Sequence, residues 1–360
     1  MVVYAGVEGG GTTWRVALAE GHPTNITEIE SFETLDDPQE QLRIIKEWLS
    51  KRKYDCLGIG TFGPVDPKLG SPTYGFITTT PKPGWANVDV VGSISDGSVP
   101  CKFDTDVNAP ALAEYMWGAG NKEDTKSCAY ITVGTGVGVG LVINGAPVHG
   151  LLHPEAGHLC LQRMHGDKYD GADALFGGGS IEGLASTVAL ADRKGCPRDK
   201  LPELKDDDKI WEPTAHSLGG LCASLVLVAS PEKIILSGGV MNRTILYPMV
   251  RKFCQELLHG YIQHPAITTD AGIEQYITPS SFGQHAGMVG CLTLAHVAYE
   301  EAGKRGKGAG KDTVGTGKGC KGGNTGSSSG LGCQMSKAVV ALSVVASLAF
   351  VAGRLLKSSS

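Results

Sequence analysis

The chain contains no C-x-x-C pair; its ten cysteines are scattered between positions 56 and 333. That spacing excludes a disulfide or zinc-ribbon framework. With no secretory signal ahead of the first apolar strand, it reads as the reduced thiols of an intracellular protein. The pattern G-x-x-x-x-G-K-[ST] is also missing, which removes the P-loop class. Basic charge is scarce where a nucleic acid would need it. Residues 303–360 carry nine Lys or Arg against one Asp, so of the net −5 the preceding 302 residues hold −13. Such an acidic body argues against a surface that releases phosphate counterions, and no nucleic-acid partner is expected.

Glycine, by contrast, is plentiful: 51 residues, roughly twice the usual share. Part of the excess lies in the tail, and the rest clusters where strands end. "YAGVEGGGTTWRVALAE" (4–20) places Gly9, Gly10 and Gly11 between two apolar strands. Glycine in a strand pattern costs backbone entropy and marks a close approach to the main chain. The stretch has a partner 125 residues on, "AYITVGTGVGVGLVIN" (129–144). Two related halves, each opening on a glycine-turned hairpin, predict a bilobal α/β protein with a cleft between its lobes. Turns of successive Gly and Thr offer backbone N–H groups and hydroxyls with no side chain in the way, an arrangement that cradles phosphate oxygens.

Between the hairpins, "PQEQLRIIKEWLSKR" carries Leu42, Ile45, Trp48 and Leu49 on one helical face. "CLGIGTFGP" (56–64) reads as a strand ending in a glycine turn. "CKFDTDVNAPALAEYMWGAG" (101–120) reads as a strand running into a helix, with Asn108 at the N-cap and Pro110 in the first turn. "SIEGLASTVALADRKG" and "TAHSLGGLCASLVLVAS" read as helices, and "KIILSGGVM" as a strand followed by a helix from about residue 242. From Gly303 the character changes. Residues 303–332 hold twelve glycines and six basic residues with almost nothing apolar, which predicts a flexible linker over 303–335. The run 338–353, 16 apolar or small residues between Lys337 and Arg354, then suggests a C-terminal membrane anchor over 336–357.

The motifs "GVEGGGTT", "GTFGPVD", "YGFITTTPKPGWANVDV", "DTDVNAPALAE", "TVGTGVGVGLV", "HPEAGH", "IEGLAS" and "LSGGV" together resemble the ROK family of sugar kinases, within it the bacterial-type fructokinases. The resemblance spans about Val3 to Ala298. It implies a bilobal actin-like ATPase (ribonuclease H-like) fold, with lobes at 1–120 and 121–302, and ATP- and Mg²⁺-dependent transfer of the γ-phosphoryl group to a hexose. Asp106 aligns with the family's catalytic base. It also precedes a helix start, where the dipole and free N–H groups favour an ionised carboxylate. Glu155, His158 and Glu182 match sugar-binding positions, with Asn108 and the Gly63–Pro64 turn completing the pocket. Gly10, Gly11, Thr12, Thr13, Thr132, Gly134, Thr135, Gly136, Gly238 and Gly239 are expected on the nucleotide side. Glu8 stands where many relatives have Asp, as it does in fructokinase-like members.

One departure concerns metal. The family commonly carries zinc on a His and a Cys/His loop ahead of the "EG" helix. Here the aligned positions are Ala174, Gly177 and Ser180, none of them a ligand, so structural zinc is expected to be absent. His153, Cys160 and His165 lie nearby without restoring the pattern. The expectation is an ATP-dependent fructokinase, facing the cytosol and tail-anchored to a mitochondrial outer, plastid or endoplasmic-reticulum membrane, with a homodimer left open. The alternatives are a glucokinase, mannokinase or broad hexokinase of the same fold, or a non-catalytic sugar sensor.

Overall fold

The two glycine-turned hairpins form as read, and each seeds one sheet. Val3–Gly9 (β1) pairs antiparallel with Thr13–Glu20 (β2), Gly9 facing Trp14; Cys128–Val133 (β8) pairs with Val137–Ile143 (β9) in the same way. The structure, a computed structural model, describes residues 1–308 except 122, 123, 174 and 177, with side chains to residue 304.

The remaining strands are Ile26–Glu33 (β3), Cys56–Thr61 (β4), Phe76–Ile77 (β5), Val88–Asp89 (β6), Cys101–Thr105 (β7), Ala146–Pro147 (β10), Ile234–Ser237 (β11) and Ile277–Pro279 (β12). The helices are Pro38–Ser50 (α1), Val90–Ile94 (α2), Asn108–Trp117 (α3), Ile181–Ala185 (α4), Thr187–Lys194 (α5), Trp211–Val228 (α6), Leu246–Leu257 (α7), Pro265–Thr268 (α8), Asp270–Tyr276 (α9) and Ala286–Gly308 (α10). The sheets have matching orders, β3-β2-β1-β4-β7 and β10-β9-β8-β11-β12. In each, the hairpin's first strand continues into parallel neighbours. The bilobal α/β class expected from the sequence is the class observed.

Each sheet buries its own core. In the first, α1 turns Leu42, Ile45, Trp48 and Leu49 inward, as its periodicity requires, and Asp37 caps it by accepting from the Gln39 and Glu40 amides. Trp14 stacks on Trp85 at 5.2 Å in the same core. In the second, α6 lays Leu218, Leu221 and Leu225 against Ile131, Val139 and Ile234. The last helix returns to the first sheet: Met288, Cys291, Leu292 and Ala295 of α10 pack on Tyr4, Ala17 and Cys56.

Several expectations are corrected here. The helix read across 180–195 breaks at Ser186, whose extended backbone and side-chain oxygen cap α5 afresh through the Ala189 amide. The helix expected from about residue 242 starts at Leu246, after a 3-10 turn over Gly239–Asn242. Helix α10 runs to Gly308, past the expected linker start at Gly303. The predicted anchor at 336–357 lies outside the described residues, and among these no helix is long and apolar enough to cross a membrane.

Candidate active site

Strand register gathers the predicted residues at sheet edges. Gly9, Thr61 and Thr105 are neighbours across the parallel strands β1, β4 and β7. The 10–13 turn, Gly63–Pro64 and Asp106 therefore leave the same carboxyl edge, where open α/β sheets bind ligands. In the second sheet Ser237 pairs with Thr132, which sets Gly238 and Gly239 beside the 134–136 turn. Each turn is internally tied: the Gly10 amide donates to the Thr13 carbonyl at 3.0 Å, the Gly134 amide to the Gly136 carbonyl at 2.8 Å. A Cβ at Gly11, Gly134 or Gly239 would meet no atom within 4 Å, so these backbones face open space. Gly238 differs: its φ is +94°, and a Cβ would fall 2.4 Å from the Val133 carbonyl oxygen, so the fold itself demands glycine there.

Asp106 is half-buried between β7 and α3, its amide donating to the Thr61 carbonyl at 2.9 Å. Its helix-start stabilisation does not appear. The N-cap is Val107, without a side-chain cap bond, and Asn108 is the first helical residue. Burial, then the charges of Glu8 and Glu155, push the Asp106 carboxyl up from 3.8 to about 7. The direction is opposite to the helix-dipole expectation, because desolvation and like charge outweigh the one helpful amide.

Glu8, at the end of β1, contributes to this shift after burial, a part that its standing in place of Asp does not disclose. Its Oε1 accepts from Arg15 Nη2 at 2.8 Å, while Arg15 Nη1 donates to the Gln284 carbonyl at 3.0 Å. Burial raises the Glu8 carboxyl against the pull of Arg15. Its Oε2 is buried with no hydrogen-bond partner.

The predicted sugar residues separate into two sets. His158 and Glu182 converge near Asp173, one possible ligand atom of each lying within 4.8 Å of the others. Glu155 is exposed on the same loop, and its charge helps raise both Asp106 and Glu182. Glu182 Oε2 accepts from the Val137 amide at 2.9 Å, at the foot of the second glycine turn. Asn108 stands apart: fully buried, it donates to Asp104 Oδ1 at 3.0 Å and accepts from the Leu141 amide at 3.2 Å. Gly63 and Pro64 meet a residue set aside by the sequence reading: His153 Nε2 accepts from the Val65 amide at 3.0 Å, tying this turn to the second half. The His153 ring belongs to the quoted "HPEAGH" box, but only long-range packing reveals its partner.

The His158–Asp173–Glu182 trio is, among the described residues, the group whose donor types suit a metal ion. Both Asp173 oxygens are already engaged, however, by the Leu175 and Phe176 amides, the Ser180 hydroxyl and His158. Of the three positions aligned with zinc ligands, Ala174 and Gly177 lie outside the described residues. Ser180 caps α4.

A family model described as "ROK family" matches residues 4–298. The chain is 36% identical over 303 residues to a fructokinase of Zymomonas mobilis, covering 82% of this chain and 97% of the relative. It is 34% identical over 297 residues to a fructokinase of Pediococcus pentosaceus, covering 82% and 98%. A ROK family glucokinase from Streptomyces griseus, in complex with glucose and AMPPNP, superposes with a TM-score of 0.65 at 21% identity, covering 82% of this chain and 99% of that one. That likeness fixes the actin-like ATPase fold. The relatives are bacterial and spend nearly their whole length on the region ahead of the tail. These bacterial fructokinase relatives contradict the membrane partner and the tail-anchored organelle location expected from the sequence; among the described residues no helix is long and apolar enough to cross a membrane, and the expected anchor lies outside them.

Proposed function

Because the chain belongs to the ROK family, we propose that it is an ATP-dependent fructokinase, converting fructose to fructose 6-phosphate. The carrying observation is Asp106: a carboxyl at the mouth of the parallel strands with its pKa near 7. A general base works best when its pKa lies near the working pH, and burial beside Glu8 and Glu155 sets that condition.

In the proposed reaction, ionised Asp106 accepts the hydroxyl proton of the sugar. The sugar oxygen forms a bond to the γ-phosphorus as the bond from phosphorus to the ADP oxygen breaks. Glu155, His158 and Glu182 hold ring hydroxyls. The turns at 10–13 and 132–136, with Gly238 and Gly239, present their backbone to the phosphates. Mg²⁺ supplies charge neutralisation on the phosphates when bound. The unpartnered buried Oε2 of Glu8, beside the first turn, suits a hydrated cation there. The two lobes are assigned as 1–120 and 121–302, with α10 crossing back to brace the first.

A coupled assay of the full chain with ATP and Mg²⁺ tests this reading. Fructose should give the highest kcat/KM among fructose, glucose and mannose. An equal or higher value for glucose or mannose would assign the chain as a glucokinase, mannokinase or broad hexokinase. Sugar binding without turnover would make it a sensor.

A further inference from the structure

We propose that Asp173 is a positioning residue for hexose binding: it locks His158 in the tautomer whose Nε2 accepts a hydrogen bond from the sugar, and it steadies the helix that carries Glu182. The proposal rests on the reading of this cleft as a hexose site.

Asp173 is only 8% exposed and spends its whole carboxyl on the protein. Oδ1 accepts from the Leu175 amide at 2.9 Å and the Phe176 amide at 3.1 Å. Oδ2 accepts from the Ser180 hydroxyl and faces His158 Nδ1 at 3.3 Å. A group that takes two amide protons and a hydroxyl proton is an ionised acceptor with no proton to give. Nδ1 of His158 must therefore carry the hydrogen, which in the neutral ring leaves a lone pair on Nε2. The same carboxylate shapes the turn from which Phe176 stacks on the His158 ring, centroids 4.3 Å apart and planes 20° from parallel. The imidazole is thus held at its edge and on one face.

The second arm of the clip runs through Ser180. Its hydroxyl gives its proton to Asp173 and accepts from the Gly183 amide at 3.0 Å, capping α4. Glu182 sits in the first turn of that helix. One buried carboxylate thereby couples two proposed sugar contacts without touching the sugar itself. It does by hydrogen bonding what a metal ion could do by coordination, and the two arrangements differ in one observable. A metal on Nδ1 would displace the proton that the hydrogen bond requires.

Nitrogen-15 NMR of the full chain, with the His158 signal assigned by its loss in His158→Gln, reads the tautomer directly. The expected result is Nδ1–H with a bare Nε2. An Nε2–H ring, or a metal-shifted Nδ1, would overturn the proposal. Asp173→Asn offers an amide that can donate to Nδ1, so it should flip the tautomer. It should also raise KM for fructose, by about the ten- to hundredfold that loss of an outer-shell partner costs at metal-ligating histidines, with kcat and KM for ATP little changed. Asp173→Glu should recover part of the loss. An unchanged KM in folded Asp173→Asn would also overturn it. Should that variant not fold, the wild-type tautomer and Phe176→Leu decide: Phe176 is 49% exposed, and removing its ring should raise KM for fructose more modestly, whereas no rise counts against the clip. A chain that binds no hexose would sink the hexose reading, and Asp173's role with it, whatever the tautomer.

Discussion

The two hairpins share a frame, and two of the positions at which they differ explain the site. Where the first has Glu8 and Arg15, the second, 125 residues on, has Val133 and Gly140. Glu8 and Arg15 form a partly buried ion pair, whereas Val133 is a fully buried core residue. Gly140 contributes space. A Cβ there would lie 2.0 Å from the carbonyl oxygen of Val107, the residue after Asp106. The first hairpin thus places charge beside Asp106, and the second makes room for the backbone that carries it. Hairpins of the same frame and equal glycine content are used for opposite ends, electrostatics in one and close packing in the other.

That contrast can be broken from either side. The largest effect is expected from Asp106→Asn, nearly isosteric but unable to take the proton: kcat should fall about 10²–10⁴-fold, while calorimetry still shows fructose binding. Gly140→Ala should come next, since overpacking against the Val107 backbone costs about 1–3 kcal/mol. A lowered Tm and a lowered kcat should appear together, because moving Val107 moves Asp106. Gly11→Ala, in the open turn of the first hairpin, should leave Tm unchanged and raise KM for ATP severalfold. Equal Tm losses for the two glycine variants would erase the distinction drawn here.

A further effect concerns pH and stability. Asp106 binds its proton more tightly in the folded chain (pKa about 7) than at its ordinary value of 3.8. The folded state therefore holds more protons between these values, and stability falls as pH rises through that window. Asp106→Asn escapes this loss. Its Tm advantage over wild type should grow from about pH 4 to about pH 7 and then stay level. A difference that shrinks over that range would mean the carboxyl pKa is lowered by folding.

Local chemistry made much of this legible. Hairpin strands, the amphipathic α1 and the β7-to-α3 passage follow from residue spacing, because their signals lie within a few residues. Strand β3 gives no such signal: its burial alternates weakly along "ITEIESFE", with few inward apolar residues to mark a face. The quoted motifs carry the expected site residues but not their environment. The Asp106 shift depends on Glu8, 98 positions away, and on burial that only tertiary packing creates. Asp173 carries no sequence signal of its own, because its partners come from a turn, a serine cap and a separate histidine. His153 likewise found its role through Val65, 88 positions distant.

The central claim is that packing beside Glu8 and Glu155 poises Asp106 as a base near neutral pH. Carbon-13 NMR titration of the Asp106 carboxyl, assigned by its absence in Asp106→Asn, measures this directly. A midpoint of about 7 is expected, moving downward in Glu8→Gln as one neighbouring charge is removed. A midpoint close to the ordinary 3.8, unmoved by Glu8→Gln, would contradict the account.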